Sequence, residues 1–267
     1  MTQGVGVEED GGTVVLEQHG RVALLRLSAA ERLNAFDSGS VAALASAVSA
    51  LTAASDIRAA VITGEGRAFS VGAELRELKD RDTAANLAWN RRLNDAIDGL
   101  AALPFPTIAA MNGYALGGGL ELALACTLRI ASEDAIVGLP EVKLGILPGA
   151  GGSQRLPRLI GTSAALRLLL TGQTLKADEA QRLGIVDEVV PAAELVAHSL
   201  GLGRQIADKA PLAVTAILDA VEVGRSLPLD EAIRYTEELL GRLFDSGDYH
   251  EGVEAFLAKR KPEFRAR

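Results

Sequence analysis

Two carboxylates set among apolar residues, and two glycine-rich stretches, are the groups in this sequence whose types and spacing suit chemistry. Glu121 follows the triple glycine of Asn112-Gly-Tyr-Ala-Leu-Gly-Gly-Gly-Leu-Glu-Leu122, and Glu141 lies within Leu139-Pro-Glu-Val-Lys-Leu-Gly-Ile-Leu-Pro148. A charge is expensive to keep in such surroundings unless it is paired or used. Burial raises a carboxyl pKa toward neutrality, where one group can take a proton and another can give one. The simpler roles are helix N-terminal stabilisation for Glu121 and an ion pair with Lys143 or a distant arginine for Glu141.

The second glycine-rich stretch is Gly64-Glu-Gly-Arg-Ala-Phe-Ser-Val-Gly-Ala-Glu-Leu75. Like the triple-glycine stretch, it follows an apolar strand-like run and precedes a helix-like one. Backbone N–H groups at a helix start point outward and favour negative charge, and glycine lets a ligand approach the backbone. One donor from each loop would form an oxyanion hole for a carbonyl gaining charge. The dinucleotide pattern fails, because Phe69 stands where the third glycine of a Gly64/Gly66 motif belongs and Gln154 where that of a Gly149/Gly151 motif belongs. The lysine of a phosphate loop is also absent. Ala68-Phe-Ser-Val-Gly72 approaches a nucleophile elbow around Ser70, but the three histidines, His19, His198 and His250, fall in a hairpin and in a helical C-terminal region. No His, Cys and acid cluster has metal-ligand spacing, so no metal is expected.

The elements that must position these groups follow from pattern and composition. The chain has 267 residues, 48% of them hydrophobic, with a net charge of −8. That is enough for one large domain, and the acidic balance argues against nucleic acid as a partner. A single cysteine, Cys126, excludes an intrachain disulfide and reads as a small buried hydrophobe. Residues 1–12 read as an aperiodic leader without a signal-like apolar stretch. No long uncharged apolar run suggests a membrane span, so a cytoplasmic protein with no membrane partner is expected.

A hairpin is predicted over Val14–Leu16 and Val22–Leu27, a helix capped by Asp37 or Ser38 through Leu51, and strands at Ala59–Thr63 and Thr107–Met111. A helix starting within Gly117–Gly119 runs to Cys126, and short strands follow at Leu128–Ala131 and Ile136–Gly138. This strand–helix alternation packs helices on a sheet. Beyond Ser153 helices dominate: Pro157–Gly161, Ser163–Leu170, Lys176–Leu183, Ala192–Ala207, Leu212–Val223, Leu229–Phe244 and Tyr249–Lys259, with one strand within Ile185–Val190.

Four blocks, in this order and spacing, resemble the crotonase (enoyl-CoA hydratase/isomerase) superfamily over nearly the whole chain. They are Arg67-Ala-Phe-Ser-Val-Gly-Ala-Glu-Leu75, Pro106 through Leu122, Pro140-Glu-Val-Lys-Leu-Gly-Ile-Leu-Pro-Gly-Ala-Gly-Gly-Ser-Gln-Arg155, and Glu251-Gly-Val-Glu-Ala-Phe-Leu-Ala-Lys-Arg-Lys-Pro262. The resemblance implies an α/β fold, a ClpP-like spiral of ββα units, with the acyl-CoA site in a core over 13–195. A helical region over 196–267 would build trimers or hexamers and cap the site. It implies an oxyanion hole from the N–H groups of Ala73 and Gly118 gripping the thioester carbonyl. Glu121 would help activate a water for attack on the β-carbon, and Glu141 would deliver the proton to the α-carbon.

Substrate contacts implied by the resemblance come from Arg32, Leu33 and Ala35 in a first loop. They continue through Ser70, Gly72, Glu74, Leu75 and Arg76 in a second, and Gly117, Pro140 and Gly149 around the reacting bond. Phe256 and Lys259 would reach a neighbour's CoA. Glu74 stands where relatives more often carry Asp, and Ser28-Ala-Ala-Glu31 lacks their usual proline and basic residue. Trp89 and Leu93, four residues apart, would line the acyl pocket or pack as core. Two glutamates together favour hydration of a 2-trans-enoyl-CoA to a 3-hydroxyacyl-CoA, with no cofactor beyond the CoA of the substrate. The alternatives are an isomerisation or specialised dehydration on the same fold, and a non-catalytic acyl-CoA-binding subunit.

Overall fold

The computed structural model describes residues 13–267, and the expected leader over 1–12 lies outside the described residues. The chain opens with the hairpin β1 (Val14–His19) and β2 (Val22–Leu27), paired His19 to Val22 across the turn. Helix α1 (Ser38–Ala53) begins at an Asp37 capping box, in which Ser40 N–H donates to Asp37 Oδ1 at 2.7 Å and Asp37 N–H to Ser40 Oγ at 2.8 Å.

Three turns of a spiral follow. The first contributes β3 (Ala59–Gly64), β4 (Ala68–Ser70), α2 (Leu75–Lys79) and α3 (Thr83–Ala101). The second contributes β5 (Thr107–Met111), β6 (Tyr114–Leu116) and α4 (Gly118–Ala125), and the third β7 (Leu128–Ser132), β8 (Ile136–Gly138) and α5 (Gly152–Ile160). In each turn the chain lays one strand in a six-stranded sheet, the next in a four-stranded sheet, and returns through helix. The sheets run β1-β2-β3-β5-β7-β10 and β4-β6-β8-β9. All pairings are parallel except β1–β2 and β8–β9. The later elements are α6 (Thr162–Thr171), β9 (Thr174–Lys176), α7 (Ala177–Arg182), β10 (Glu188–Val190), α8 (Leu195–Ala207), α9 (Pro211–Gly224), α10 (Leu229–Phe244) and α11 (Gly247–Leu257).

The near-continuous apolar strands have a reason. Side chains alternate across the six-stranded sheet and both faces are covered. Leu25, Ile62, Ala109 and Ala131 face the core that holds α1, α3 and α4. Leu24, Val61, Ile108 and Ile130 face Leu195, Leu200 and Ala207 of α8. The helical C-terminal region is therefore tied to the sheet through its first helix, across the expected boundary at 195/196.

Three features differ from the sequence expectation. β4, β6 and β9 are three residues each, too short for alternation to register. α5 starts at Gly152 instead of Pro157, with the proline inside it. The ring leaves the Ser153 carbonyl without its helical donor, a small loss in a nine-residue helix. The expected helix from Ala192 begins at Leu195, after a turn closed by Glu194 N–H to Pro191 O.

Candidate active site

The two glycine-rich stretches meet where β4 ends and α4 begins. Phe36 and Ala73 form a parallel bridge in which Phe36 N–H donates to Gly72 O at 2.7 Å and Glu74 N–H to Phe36 O at 2.9 Å. That pattern turns the Ala73 N–H to the other side, where it has no backbone acceptor among the described residues. Gly118 is the first residue of α4, so its amide is one of the donors a helix start leaves open. Gly72, at φ 83°, packs so closely on this start that a Cβ on it would sit 2.7 Å from Gly118 N. The loop carrying Ala73 is thereby brought against the start of α4, where Gly118 lies.

Glu121 lies one turn into α4 and is 3% exposed. Its Oε1 accepts from Ala150 N–H at 2.7 Å and Gly152 N–H at 2.8 Å. Burial pushes its pKa above the ordinary carboxylate value, while those two amides and the Arg155 charge pull it back. Arg155, from α5, pairs with Asp98 of α3 at 2.6 Å. Glu141 opens a 3-10 turn, Glu141–Leu144, and is 9% exposed. Its Oε2 is buried without a hydrogen-bond partner. Burial, with a smaller push from Glu121, raises its carboxyl to about 7. Two buried carboxyls thus differ: Glu121 is held by donors that favour its charge, and Glu141 has an idle oxygen and a pKa near neutrality.

The other expected contacts fall in several places. Leu33 adopts a left-handed backbone at φ 54° and passes its carbonyl to Val71 N–H at 3.2 Å, beside buried Ala35. Arg32 is paired with Asp37 and Glu31, so its charge is already engaged. Ser70 is fully buried: its hydroxyl donates to Asn34 O at 2.8 Å and accepts from Gly72 N–H at 3.2 Å. It braces the hole from below, and no side-chain contact to a ligand is open to it. Glu74 caps α2 by accepting from Arg76 N–H at 3.1 Å. Leu75 and Arg76 are exposed on that helix. Gly117, Pro140 and Gly149 surround the carboxylates, and Glu141 Oε1 lies 3.1 Å from the position of a Cβ at Gly117. Phe256 is 83% exposed on α11, and Lys259 follows that helix with a left-handed backbone, φ 53°. Trp89 and Leu93 are buried in the core, with Leu93 against Gly118.

Ser70 has no histidine partner: His19 bonds Glu17 and His198 bonds Glu188, and His250 lies on α11. Among the described residues no group of three or more His, Cys, Asp or Glu is placed to hold a metal ion. None of their helices is long and apolar enough to cross a membrane.

Sequence reasoning missed the donors that hold Glu121, and also Asn90 and Asn94, whose side-chain amides both bond Gly149 O. Their spacing of four residues on α3 was the available signal, but nothing in the chain links them to a glycine so far along it.

A family model described as enoyl-CoA hydratase/isomerase matches residues 17–267. A probable mitochondrial enoyl-CoA hydratase of Dictyostelium discoideum is 40% identical over 94% of this chain and 90% of its own. A short-chain-enoyl-CoA hydratase of Clostridium acetobutylicum is 38% identical over 94% and 96%. The crystal structure of an enoyl-CoA hydratase from Bacillus anthracis superposes with a TM-score of 0.93 at 33% identity, covering 96% of this chain and all of that one, 100%. With the open amides of Ala73 and Gly118 beside two buried glutamates, and with matches that span its length, the chain belongs to the enoyl-CoA hydratase/isomerase family.

Proposed function

We propose that the protein adds water reversibly across the double bond of a 2-trans-enoyl-CoA, giving a 3-hydroxyacyl-CoA, and so acts as a hydro-lyase. The observation that carries this is the contrast between Glu121, held by two backbone amides, and Glu141, with a free buried oxygen and a pKa of about 7. Glu121 takes a proton from water as its oxygen bonds the β-carbon. Glu141 gives its proton to the α-carbon. The negative charge that gathers on the thioester oxygen falls on the amides of Ala73 and Gly118, a type of contact worth roughly 3–4 kcal/mol per donor. Exchange with solvent then returns a proton from Glu121 to Glu141, and the cycle closes.

The acyl-CoA is the substrate and no other cofactor takes part. Leu33 and Ala35, Leu75 and Arg76, and the Gly117, Pro140 and Gly149 backbone supply its surroundings in this scheme. Self-association as a trimer or a pair of trimers belongs to the same proposal. It is supported by the apolar side chains that α9–α11 leave exposed, among them Ile217, Leu229, Phe244 and Phe256, which a neighbouring subunit would cover. In such an assembly Phe256 and Lys259 would meet the CoA of a neighbour.

The test is to mix the purified protein with crotonyl-CoA and follow loss of the conjugated enoyl-thioester absorbance, with light scattering to give the mass. Turnover in a trimer or hexamer supports the proposal. Intact CoA binding with no turnover on crotonyl-CoA or longer enoyl-CoAs rejects it in favour of a binding subunit.

A further inference from the structure

The loop that holds Glu121, residues 145–151, runs from the 3-10 turn to α5 with Ile146 and Leu147 exposed. Side chains take three consecutive carbonyls near its end, those of Pro148, Gly149 and Ala150. Ser153 Oγ donates to Pro148 O at 3.2 Å, and Arg155 Nη1 to Ala150 O at 3.2 Å. Both come from α5, the segment that continues the loop. Only the carbonyl between them is held from elsewhere: Asn90 Nδ2 donates to Gly149 O at 3.0 Å and Asn94 Nδ2 at 2.8 Å. These asparagines share a face of α3 one turn apart, and Asn94 Nδ2 spends its other hydrogen on Asn90 O at 3.1 Å. A Cβ on residue 149 would sit 2.8 Å from Asn90 Oδ1, so a larger residue there would push the Asn90 amide out of place.

Gly149 C=O and Ala150 N–H belong to one peptide unit. The unit is planar and trans, so its carbonyl and its N–H point in opposite directions. Whatever fixes the carbonyl fixes the N–H, and that N–H bonds Glu121 Oε1 at 2.7 Å. Two donors on the carbonyl also polarise the amide and strengthen the bond on its far side.

We propose that Asn90 and Asn94 are positioning residues for Glu121: by clamping the Gly149 carbonyl they aim the Ala150 amide at the carboxylate and hold it ready to accept a proton from water. The role of Glu121 in this statement rests on the function proposed above; the clamp itself is a matter of geometry. The charged groups facing Glu121 are Arg155 from α5, whose partner is Asp98 of α3, and Glu141 from the 3-10 turn. The asparagines are neutral, so their removal changes the carboxylate through the amide and not through a new charge.

The experiment compares Asn90→Ala/Asn94→Ala with wild type, and adds Asn94→Leu, which closely keeps the volume and removes the donor without adding a charge, should the double variant fold poorly. The sequence contains two Gly-Ala pairs, Gly72–Ala73 and Gly149–Ala150. Carbonyl-13C glycine combined with 15N alanine therefore yields two carbonyl–amide cross-peaks, one from each candidate loop, and Ala73→Ser identifies the first by deleting it. With the clamp removed, the Gly149–Ala150 peak moves upfield in both 13C and amide 1H while the Gly72–Ala73 peak stays. On enoyl-CoA, kcat falls about ten- to a hundredfold with KM within about twofold. The acid limb of the pH profile moves to higher pH, because a carboxylate that loses a donor holds its proton more tightly. An unmoved Gly149–Ala150 peak in a folded variant overturns the clamp. A moved peak with wild-type kcat and acid limb, or a loss of activity that tracks thermal unfolding with the limb unshifted, overturns the positioning role. Absence of turnover in wild type sinks the proposed function instead and leaves the cross-peaks to judge the clamp.

Discussion

Glu141 Oε1 stands 3.1 Å from the point where a Cβ on Gly117 would lie, and Gly117 itself sits at φ 52° and ψ −130°. The residue between β6 and α4 is thus held both by backbone shape and by the carboxyl across the site. Gly117→Ala meets both restraints. The backbone strain costs about 1–3 kcal/mol, and Glu141 must give way by a few tenths of an ångström or turn. The expected outcome is a lower melting temperature together with a kcat reduced at least about tenfold, checked by thermal melts beside enoyl-CoA turnover. An active Gly117→Ala would show that Glu141 need not keep its place.

The two glutamates should fail differently when made neutral. Glu121→Gln leaves Ala150 and Gly152 donating to a weaker amide acceptor and removes the proposed base. Glu141→Gln removes the proposed proton donor, whose Oε2 has no hydrogen-bond partner. Each variant should lose on the order of 10²–10⁴ in kcat, with CoA affinity kept, measured by initial rates and by calorimetric titration of a saturated acyl-CoA. A loss confined to one variant would reduce the pair to a single acid/base and favour isomerisation on the same site.

Much of this site was legible because the chemistry contradicts its surroundings. Glu121 among Leu120, Leu122 and Ala123, and Glu141 beside Leu139 and Val142, are carboxyls where the pattern asks for apolar residues. Their glycine neighbours mark backbone that must approach something. The strands of the six-stranded sheet were legible for the same kind of reason, since burial on both faces leaves runs such as Ala-Ala-Val-Ile. What escaped were contacts whose two ends share no local pattern. Ser70 looks like a ligand group until its hydroxyl is seen to donate to the Asn34 carbonyl, Arg32 looks free until Asp37 is placed beside it, and Asn90 and Asn94 look like ordinary helix surface until Gly149 arrives from the next turns of the spiral. Pro157 misled in the opposite direction, because a proline at the first helical position is the commoner arrangement.

Asn34 offers a test of how the loops are held apart from the chemistry. Its side chain is buried; Oδ1 accepts from Ala29 N–H at 2.9 Å, and Nδ2 donates to Glu65 O at 3.0 Å and Ala68 O at 2.8 Å. It joins the loop of Leu33 and Ala35 to both ends of the β3–β4 connection. Asn34→Ala leaves the Ala29 N–H and the Glu65 carbonyl without a partner, and leaves Ala68 O only Asn112 Nδ2 at 3.2 Å. At roughly 1–3 kcal/mol for each one that stays dry, the protein should lose several kcal/mol, read from a denaturant midpoint. Asn34→Asp keeps the acceptor for Ala29 but sets a buried carboxylate oxygen against the two carbonyls, and should lose at least as much at neutral pH.

The pH dependence of stability gives a prediction that does not require substrate. The Glu141 carboxyl rises from an ordinary 4.5 to about 7 because burial penalises its charged form. The folded state therefore binds this proton more tightly than the unfolded chain does. Below about pH 4.5 both states are protonated and the group costs nothing. Between there and pH 7 the unfolded chain releases its proton first, and stability declines with rising pH. Above pH 7 the folded protein carries a buried charge and the full penalty, roughly 1–3 kcal/mol after allowance for partial solvent access. Glu141→Gln has no charge to bury. It should melt like wild type at pH 5 and higher than wild type at pH 8, although it is the less active protein at both. In the wild type the same proton must be present for transfer to the α-carbon, so hydration should fade as pH climbs through about 7, and paired melting and rate profiles should bend over the same interval. A Glu141→Gln protein with no stability gain at pH 8 would mean that the carboxylate finds solvent or a donor when charged, and that the alkaline limb belongs to another group.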